Sequence, residues 1–502
     1  MPPGLASGDR VAVLGLGRSG LAATGLLLRL GCRVRAFEQR VSDEVRAAWE
    51  PHREAGAELV AGEPPAGVLA GCRMLIRSPG VPSESPLITE ANELGIPVRS
   101  ELNLGATQIA TPMIAITGTN GKSTTTAWTA HLLRSAGVRA RAAGNIGHAL
   151  SRAVLEEPAG TVFVVEVSSF QLEDSPDVHP HAATILNITP DHLDRHGSFE
   201  AYAAAKWALV ANQTTGDLLV VGPDLPLPGG MALPMRVVRC NPAPTAAANP
   251  APTGAPTASA GQPAEMTGQP AETTGQHAAI TGQPAEMAAV IVREGLLLWT
   301  GALGGAEREL LPVNQLALPG PHNRCNAMVA LALASTVVDE VGALVPGLRD
   351  FPGLAHRLEE VGRIGGVVMI NDSKSTNVDS LRVALHSYTE PVVLVAGGRD
   401  KQGPFEELHE LAGRHVGHLV AVGEAAERIR TAWPRVPSER ASSFEDALDR
   451  AVRAAQPAGR VLLSPGCASF DMFRNFEERG EAFRSYVRSR QRLGESSSEV
   501  RS

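Results

Sequence analysis

The residues best placed to do chemistry form a glycine-rich turn between a predicted buried strand and a predicted helix. The turn reads Gly-Thr-Asn-Gly-Lys-Ser-Thr over residues 118–124. Gly118 and Gly121 let the backbone curl so that successive N–H groups point at one anion, and the first helical turn adds its positive end. Lys122 supplies a mobile positive charge. We predict a phosphate loop that binds ATP, in a short form because Ile116 stands where longer phosphate loops have their first glycine.

Side chains that can bind Mg²⁺ lie in this turn and after the neighbouring predicted strands. Ser123 or Thr124 can offer a hydroxyl to the ion. Glu166 comes directly after a buried strand, where an acid can hold Mg²⁺ beside the phosphates. The segment Asp-His-Leu-Asp-Arg-His at 191–196 brings acids and imidazoles to the same sheet edge. A second interpretation of that segment is that its side chains cap the next helix and are solvated.

Lys206 lies in a predicted helix, residues 199–210, on a face otherwise made of Ala, Trp and Leu. A lysine at such a position is usually a surface residue whose stem covers apolar neighbours. If the lysine is buried instead, it can lose its proton, because an apolar environment disfavours the charged form.

A second glycine turn, Gly-Leu-Gly-Arg-Ser-Gly at 15–20, follows the first predicted strand. The next strand ends in Glu38, roughly where a dinucleotide-binding fold places its ribose-binding acid. Taken alone, this pattern predicts NAD. The same turn serves any ligand whose diphosphate lies on a helix N-terminus, so the ligand stays open at this point.

Length and repeated strand–turn–helix patterns predict an α/β protein of about three domains. We place them at residues 1–100, 101–353 and 354–502, with the phosphate loop in the second. Residues 241–287 are rich in Pro, Ala, Thr, Gly and Gln and repeat about every seven residues. Because Gly and Pro recur in the units and no apolar stripe survives, we predict a disordered insert without chemistry.

Composition narrows the class of protein. The chain carries a net charge of −8 with scattered basic residues, which argues against binding to nucleic acid or to a lipid surface. Five cysteines, far apart and without Cys-x-x-Cys spacing, predict reduced thiols and a cytoplasmic location. The chain opens with no basic-then-apolar leader and has no apolar run long enough to span a bilayer, so we expect no integral membrane contact.

Ten motifs, taken in order, resemble those of the Mur ligases, the ATP-dependent amide-forming enzymes of peptidoglycan precursor synthesis. The resemblance covers nearly the whole chain apart from the insert. The motifs are Gly-Leu-Gly-x-Ser-Gly at 15–20, Ser-Pro-Gly at 78–80, Gly-Thr-Asn-Gly-Lys-Ser-Thr at 118–124, Gly-Asn-Ile-Gly at 144–147, Glu-Val-Ser-Ser-Phe-Gln-Leu at 166–172, Asp-His-Leu-Asp at 191–194, His-Asn-x-x-Asn at 322–326, His-Arg at 356–357, Asn-Asp-Ser-Lys-x-Thr-Asn at 371–377 and Leu-Ser-Pro-x-Cys-Ala-Ser at 463–469.

The resemblance implies a fold and a set of site residues. The fold is an N-terminal Rossmann-like UDP-binding domain, a central P-loop ATPase-like domain and a C-terminal Rossmann-like domain that binds the amino acid and closes on the central one. Lys122, His192 and Lys206 would be catalytic. Ser123, Glu166 and His192 would hold Mg²⁺, and so would Lys206 if it is carbamylated. The ATP-binding residues would be Gly118, Thr119, Asn120, Gly121, Lys122, Ser123, Thr124, Asn323, Asn326, Arg357 and Asp372. The UDP-substrate residues would be Gly15, Leu16, Gly17, Arg18, Ser19, Gly20, Glu38, Gln39, Arg40, Ser78, Pro79, Gly80 and Asn145, and the D-glutamate residues Thr376, Lys401, Ser469 and Phe476.

The implied reaction joins D-glutamate to UDP-N-acetylmuramoyl-L-alanine through an acyl phosphate, with ATP and Mg²⁺, and we expect a monomer. Arg399 stands where relatives often have an acid, and the aromatic Phe470 follows Ser469, so the acceptor end departs from the family pattern. Three other classes compete with this interpretation. A folylpolyglutamate synthase lacks the first domain, an NAD-dependent oxidoreductase leaves the phosphate loop unexplained, and a P-loop switch protein does not need the polar loops of the third domain.

Overall fold

The structure is a computed structural model. It describes residues 4–229, 233–241, 287–293, 295–300, 303, 306–400 and 402–499. Within these residues there is no helix that is both long enough and apolar enough to cross a membrane. The predicted insert at 241–287 lies outside the described residues, except for its first and last positions.

The first sheet is parallel and carries the glycine turn at residues 15–20. Its strands lie in the order β3-β2-β1-β4-β5. The chain order is β1 (Arg10–Leu14), α1 (Arg18–Arg29), β2 (Arg33–Glu38), α2 (Asp43–Glu54), β3 (Glu58–Ala61), β4 (Cys72–Arg77), α3 (Pro86–Glu93) and β5 (Val98–Ser100).

The second sheet has nine strands and carries the phosphate loop between β6 and α5. Its order is β14-β13-β12-β11-β10-β9-β6-β8-β7, parallel except for the β12–β13 and β13–β14 pairs. The elements are α4 (Glu101–Ala106), β6 (Met113–Thr117), α5 (Lys122–Ser135), β7 (Ala140–Gly144), α6 (Leu150–Glu156), β8 (Val162–Glu166), α7 (Ser169–Leu172), β9 (Ala182–Ile185), α8 (Leu193–His196), α9 (Phe199–Trp207), β10 (Leu218–Val221), β11 (Arg236–Asn241), β12 (Met287–Arg293), β13 (Leu296–Trp299), β14 (Arg308–Pro312), α10 (Pro321–Ala334) and α11 (Val345–Arg349).

The third sheet has six strands in the order β15-β16-β20-β17-β18-β19, and only β15 runs antiparallel to its neighbour. The elements are β15 (Glu359–Ile364), β16 (Val367–Asn371), α12 (Val378–His386), β17 (Val392–Gly397), α13 (His409–His415), β18 (Val416–Val422), α14 (Ala426–Ala432), β19 (Ser438–Arg440), α15 (Phe444–Ala455), β20 (Arg460–Leu463) and α16 (Phe476–Glu499). Short 3₁₀ helices cover Ala208–Val210, Val313–Gln315, Val341–Leu344 and Phe405–Leu408.

Apolar packing fixes the helices that carry the site. The inner strands β6 and β8 are buried along their whole length, because helices cover both faces of the second sheet. On one face, Trp128 of α5 stacks on Phe351 at 4.9 Å between ring centroids, and its Nε1 donates to Gly347 O at 3.0 Å. These contacts join α5, which follows the phosphate loop, to α11 and the residues after it.

Candidate active site

The phosphate loop joins β6 to α5, as the sequence predicts. Gly118 and Gly121 have φ angles of +151° and +85°, which side-chain-bearing residues rarely adopt. A Cβ on Gly121 would lie 2.7 Å from Asn326 Oδ1. The glycine therefore also allows α10 to approach the loop, so that Asn326 reaches the place where a nucleotide would bind.

Lys122 lies over the loop that it follows. Its Nζ donates to Gly118 O at 2.9 Å and to Thr119 O at 2.8 Å. Burial lowers the pKa of this ammonium group, although the Glu166 carboxylate opposes the shift. The loop thus presents a cation next to backbone N–H groups, as phosphate binding requires.

Glu166 lies at the end of β8 and is 2% exposed. Its Oε1 accepts a hydrogen bond from Asn145 Nδ2 at 2.9 Å, and Asn145 N donates to Glu166 O at 2.9 Å. Burial acts to raise the pKa of the carboxyl, but the nearby charges of Lys374 and Lys122 hold the pKa below its ordinary value. Glu166 is therefore a buried carboxylate ion between two lysines.

The residues at this point fit Mg²⁺. Glu166 Oε2 is buried and has no hydrogen-bond partner, and a buried carboxylate oxygen in that state is costly unless a ligand satisfies it. The Ser123 hydroxyl lies in the same cluster and accepts a hydrogen bond from Lys374 Nζ at 2.7 Å. No group of three His, Cys, Asp or Glu residues in the described ranges could hold a metal by itself. Phosphate oxygens and water would therefore have to supply the remaining ligands.

Lys206 is buried, being 1% exposed, so the interpretation as a surface residue is wrong. Its Nζ donates to Gly118 O at 2.9 Å and lies 4.4 Å from the centroid of the Tyr202 ring. Burial lowers the pKa of the amine to about 6, and the charge of Lys122 acts in the same direction. At neutral pH the side chain is therefore mostly uncharged, as reaction with CO₂ requires.

His192 is the N-cap residue, directly before the short helix α8, at the edge of the same sheet. Its backbone is left-handed, with φ of +54°, and its ring lies edge-on to the Phe170 ring at 4.9 Å between centroids. Asp191, the preceding residue, acts electrostatically on both Lys122 and Lys206. The segment therefore faces the phosphate loop, but the His192 side chain, 44% exposed, is not in the buried cluster around Glu166.

A cavity of about 440 Å³ lies between the second and third sheets next to the phosphate loop. Its lining brings together predicted ATP residues from both sides, namely Asn120, Gly121, Thr124, Asn323, Asn326, Arg357 and Asp372. Arg357 Nε is buried without a hydrogen-bond partner, which an anionic ligand would supply. The cavity is thus of a size and polarity that fit a nucleotide with its phosphates on the loop.

Asp372 is buried in this cavity wall and accepts hydrogen bonds from Ser464 Oγ at 2.8 Å and Leu358 N at 3.2 Å. Burial raises the pKa of its carboxyl to about 7, although Arg357 opposes the shift. An unfolded aspartate titrates near pH ~4, so between about pH 4 and about pH 7 the folded protein binds more protons than the unfolded chain. The contribution of Asp372 to the stability of the protein is therefore expected to fall as the pH rises through this window.

The variant Asp372→Asn tests this pH dependence. The variant has no charge to bury. The difference between its melting temperature and that of the unsubstituted protein is therefore expected to shift in favour of the variant as the pH rises from about 5 to about 8. Any loss from the weaker amide acceptor is a constant offset across that range. Calorimetric melting of both proteins without ligands measures the difference, and a difference that does not change with pH would contradict the raised pKa.

The N-terminal glycine turn lies on the first sheet, and its own acid organises it. Leu16 N donates to Glu38 Oε2 at 2.7 Å, and Arg40 N donates to Glu38 Oε1 at 3.3 Å. A Cβ on Gly20 would lie 1.9 Å from Gly15 O, so α1 can pack on the turn only with glycine there. Ser78, another of the predicted UDP-substrate residues, is buried, and its Oγ donates to Gly15 O at 2.8 Å. The remaining ones lie nearer the surface: Ser19 and Pro79 are partly buried, and Gly17, Arg18, Gln39 and Gly80 are exposed.

One of the predicted D-glutamate residues, Phe476, contacts the turn at residues 371–377 of the third domain. Phe476 begins α16, its carbonyl accepts from Ser373 Oγ at 2.8 Å, and its ring lies 5.6 Å from Lys374 Nζ. Ser469 is buried in the loop that follows β20, whereas Thr376 is partly buried in the 371–377 loop. Lys401 lies outside the described residues. Arg399 is paired with Glu424 at 3.4 Å, and Phe470 is 66% exposed.

The sequence prediction missed Lys374 and Asn187. Lys374 reaches from the third domain to Ser123, and burial lowers its pKa to about 8. Lys374 lies in the motif at 371–377, and the composition carries a signal for it: the chain has four lysines, at 122, 206, 374 and 401, and its other 41 basic Lys and Arg residues are arginine. Asn187 follows β9, and its Oδ1 accepts from the N–H groups of two loop residues at 3.1 and 2.8 Å. No pattern in the sequence marks that amide.

Comparison with known proteins decides the family. Residues 9–100 match the profile described as "Mur ligase MurD-like, N-terminal domain", residues 116–229 "Mur ligase middle domain", and residues 356–467 "Mur ligase, glutamate ligase domain". A curated protein of Salinibacter ruber named UDP-N-acetylmuramoylalanine–D-glutamate ligase is 38% identical over 97% of this chain and 99% of its own length. The chain belongs to the Mur ligase family. A Myxococcus xanthus protein of the same name is 37% identical over 96% of this Mur ligase and 98% of its own length.

Solved structures share the fold of this Mur ligase at low identity. A pseudomurein peptide ligase type C from Methanothermus fervidus is 15% identical, with a TM-score of 0.58 over 96% of this chain and 99% of that one. MurF ligase from Thermotoga maritima, solved in complex with ADP, is 14% identical, with a TM-score of 0.53 over 97% of this chain and 96% of that one. These likenesses confirm the predicted three-sheet α/β architecture of a Mur ligase.

Proposed function

We propose that this Mur ligase joins the amine of D-glutamate to the free carboxylate of UDP-N-acetylmuramoyl-L-alanine and converts ATP to ADP and phosphate. Full-length relatives carry the name of that activity. The structural observation that carries the proposal is the meeting of Lys122, Ser123 and Glu166 of one domain with Lys374 of another beside a nucleotide-sized cavity. A switch protein would not need a lysine from a second domain at its phosphate loop.

The proposed chemistry has two steps. The substrate carboxylate attacks the terminal phosphorus of ATP, the bond to ADP breaks, and an acyl phosphate forms. The amine of D-glutamate then attacks the acyl carbon, phosphate leaves, and the amine loses a proton. Activation is necessary because a carboxylate ion is a poor acceptor for an amine.

The part of the protein in the first step is mainly electrostatic. Lys122 and the loop N–H groups would donate hydrogen bonds to the phosphate oxygens and stabilise their negative charge. Fixed positive charges stabilise that charge more strongly in such a site than they would in water. Lys374, held at Ser123, adds a second cation from the third domain. Bound Mg²⁺ would neutralise phosphate charge. The residues that would hold it are Ser123 and Glu166 in the buried cluster, together with His192 and a carbamylated Lys206 from outside that cluster.

Substrate positions follow from the two glycine turns. We propose that UDP binds the turn at 15–20 and that Asn145, which hydrogen-bonds Glu166, lies at the muramoyl end. D-glutamate would bind around Thr376, Lys401, Ser469 and Phe476, since hydroxyls and lysines suit a dicarboxylate. The domain boundaries at 100/101 and 353/354 stay predictions. We also propose a cytoplasmic monomer, because all these groups come from one chain and its five cysteines are free.

One assay tests the activity. ADP release is measured with UDP-N-acetylmuramoyl-L-alanine and, in separate reactions, with D-glutamate, L-glutamate, glycine or no amino acid. We expect release to require both the UDP substrate and D-glutamate. ADP release that depends on a different amino acid would show that D-glutamate is not the acceptor. ADP release that needs neither the UDP substrate nor an amino acid would contradict the proposed ligase activity.

A further inference from the structure

A set of polar contacts joins the third domain to the loop after β9, close to the phosphate loop but outside the cluster around Glu166. Thr189 Oγ1 donates to Asp379 Oδ2 at 3.0 Å. Next to it, Asn377 Nδ2 donates to Asp191 Oδ2 at 3.2 Å. Asp379 and Asn377 belong to the first turn of α12 and its N-cap. The start of this helix is therefore docked on the segment that leads to His192.

Thr189 is fastened in turn to the phosphate loop. Its N–H donates to Thr119 Oγ1 at 3.0 Å, and Thr119 Oγ1 donates to Thr189 O at 3.1 Å. Because that hydroxyl proton is used, the hydroxyl of Tyr202, 3.1 Å away, must be the donor to Thr119. The ring of Tyr202 lies 4.4 Å from Lys206 Nζ. A continuous series of contacts thus runs from Asp379 through the phosphate loop to the buried lysine.

We propose that Asp379 is a positioning residue: by holding Thr189, it fixes the phosphate loop and the Tyr202–Lys206 pair in their working arrangement when the third domain is closed. The inference rests on the proposed ligase function, since only a reaction that needs both domains would profit from such a contact. The carboxylate makes a charge-assisted hydrogen bond in a partly buried place, where such bonds are stronger than neutral ones.

Two simpler roles for Asp379 make different predictions. In the first role, Asp379 stabilises α12 because it is an acid in the first turn of the helix. In the second role, it forms an ion pair with Arg382, whose Nε lies 3.5 Å from Asp379 Oδ1. Both of those roles need its charge and not its contact with Thr189. Asp379→Asn removes the charge but keeps an oxygen that can accept from Thr189, so this variant separates the proposed role from the other two.

The first experiment needs no substrate. Backbone hydrogen exchange of the ligand-free full-length protein is followed in segments 117–122 and 186–191. Asp379→Ala is expected to speed exchange in both segments about tenfold, the effect of losing one charge-assisted hydrogen bond, while Asp379→Asn, which keeps a weaker neutral hydrogen bond, is expected to speed it by about threefold at most. Asp446→Ala is the matched control, because Asp446 occupies the first turn of α15 and bonds Ser442 and Arg450 of its own domain.

The second experiment is a double-mutant cycle in the ligase assay. Thr189→Val removes the hydroxyl but keeps the backbone contacts with Thr119. We expect Asp379→Ala and Thr189→Val each to lower kcat about tenfold, with little change in KM for the UDP substrate, and the double variant to be no slower than either single one.

Three results would overturn the inference: unchanged exchange in Asp379→Ala, equal exchange in Asp379→Ala and Asp379→Asn, or additive effects in the cycle. Absence of ligase activity in the unsubstituted protein would instead refute the proposed function, and the exchange experiment does not depend on it.

Discussion

Replacing Lys122 with alanine is expected to lower ADP release by about a thousandfold or more, because a phosphate-loop cation stabilises charge in the transition state where no water replaces it. The fold should survive. Lys122 contributes hydrogen bonds to two carbonyls of its own loop, whereas the surrounding sheet is held by buried apolar strands. Turnover under saturating substrates, together with the melting temperature, measures both effects.

Arg134→Ala is the matched control for Lys122→Ala. Arg134 lies in the last turn of the same helix, and its guanidinium donates to Ala140 O at 3.2 Å, away from the loop. We expect near-normal turnover from this variant. Normal ADP release by Lys122→Ala would remove the lysine from the proposed mechanism.

Replacing Lys206 with methionine is expected to abolish most activity, by about a thousandfold, and to remove a carbamate signal from the protein. With a pKa of about 6, the amine is largely free of its proton at pH ~7 and can attack the carbon of CO₂, releasing a proton as the carbamate forms. Methionine keeps the apolar stem but cannot react. The loss should therefore be chemical and not structural.

Carbon-13 NMR in labelled bicarbonate reads the modification directly. The unsubstituted protein should show one carbamate resonance that Lys206→Met lacks. The spectrum is simple to assign because the chain has four lysines. A resonance that persists in Lys206→Met, or full activity without one in the unsubstituted protein, would contradict carbamylation at this position.

Much of the fold was predictable because strand, glycine turn and helix follow one another at fixed spacing around residues 15–20 and 118–124. The antiparallel strand β15 was missed, because its residues alternate between half-buried and exposed positions without an apolar run. The long helix α16 was missed as well. It is rich in Arg, Glu and Ser, and up to residue 492, where its side chains are described, a few residues such as Phe483 and Val487 are buried against the third sheet.

The site was predictable to the extent that its residues lie in motifs with a chemical reason for their spacing. Lys122 and Glu166 are of this kind. The environment of Lys206 could not be predicted, because its burial depends on how α9 packs under the phosphate loop. The contact between Thr189 and Asp379 joins residues 190 positions apart, and nothing local in the sequence indicates that they meet.

Arg77 joins the first sheet to the second through buried ion pairs. It is 4% exposed and pairs with Glu173 at 2.8 Å and Asp174 at 2.5 Å across the boundary between the first and second sheets. Separating the two sheets would leave a buried guanidinium without its carboxylate partners, which is costly. The distance between the glycine turn at residues 15–20 on the first sheet and the phosphate loop on the second should therefore stay fixed. A substrate that is too short or too long between its diphosphate and its carboxylate would then fail to bring the carboxylate to ATP, even if each end could bind by itself.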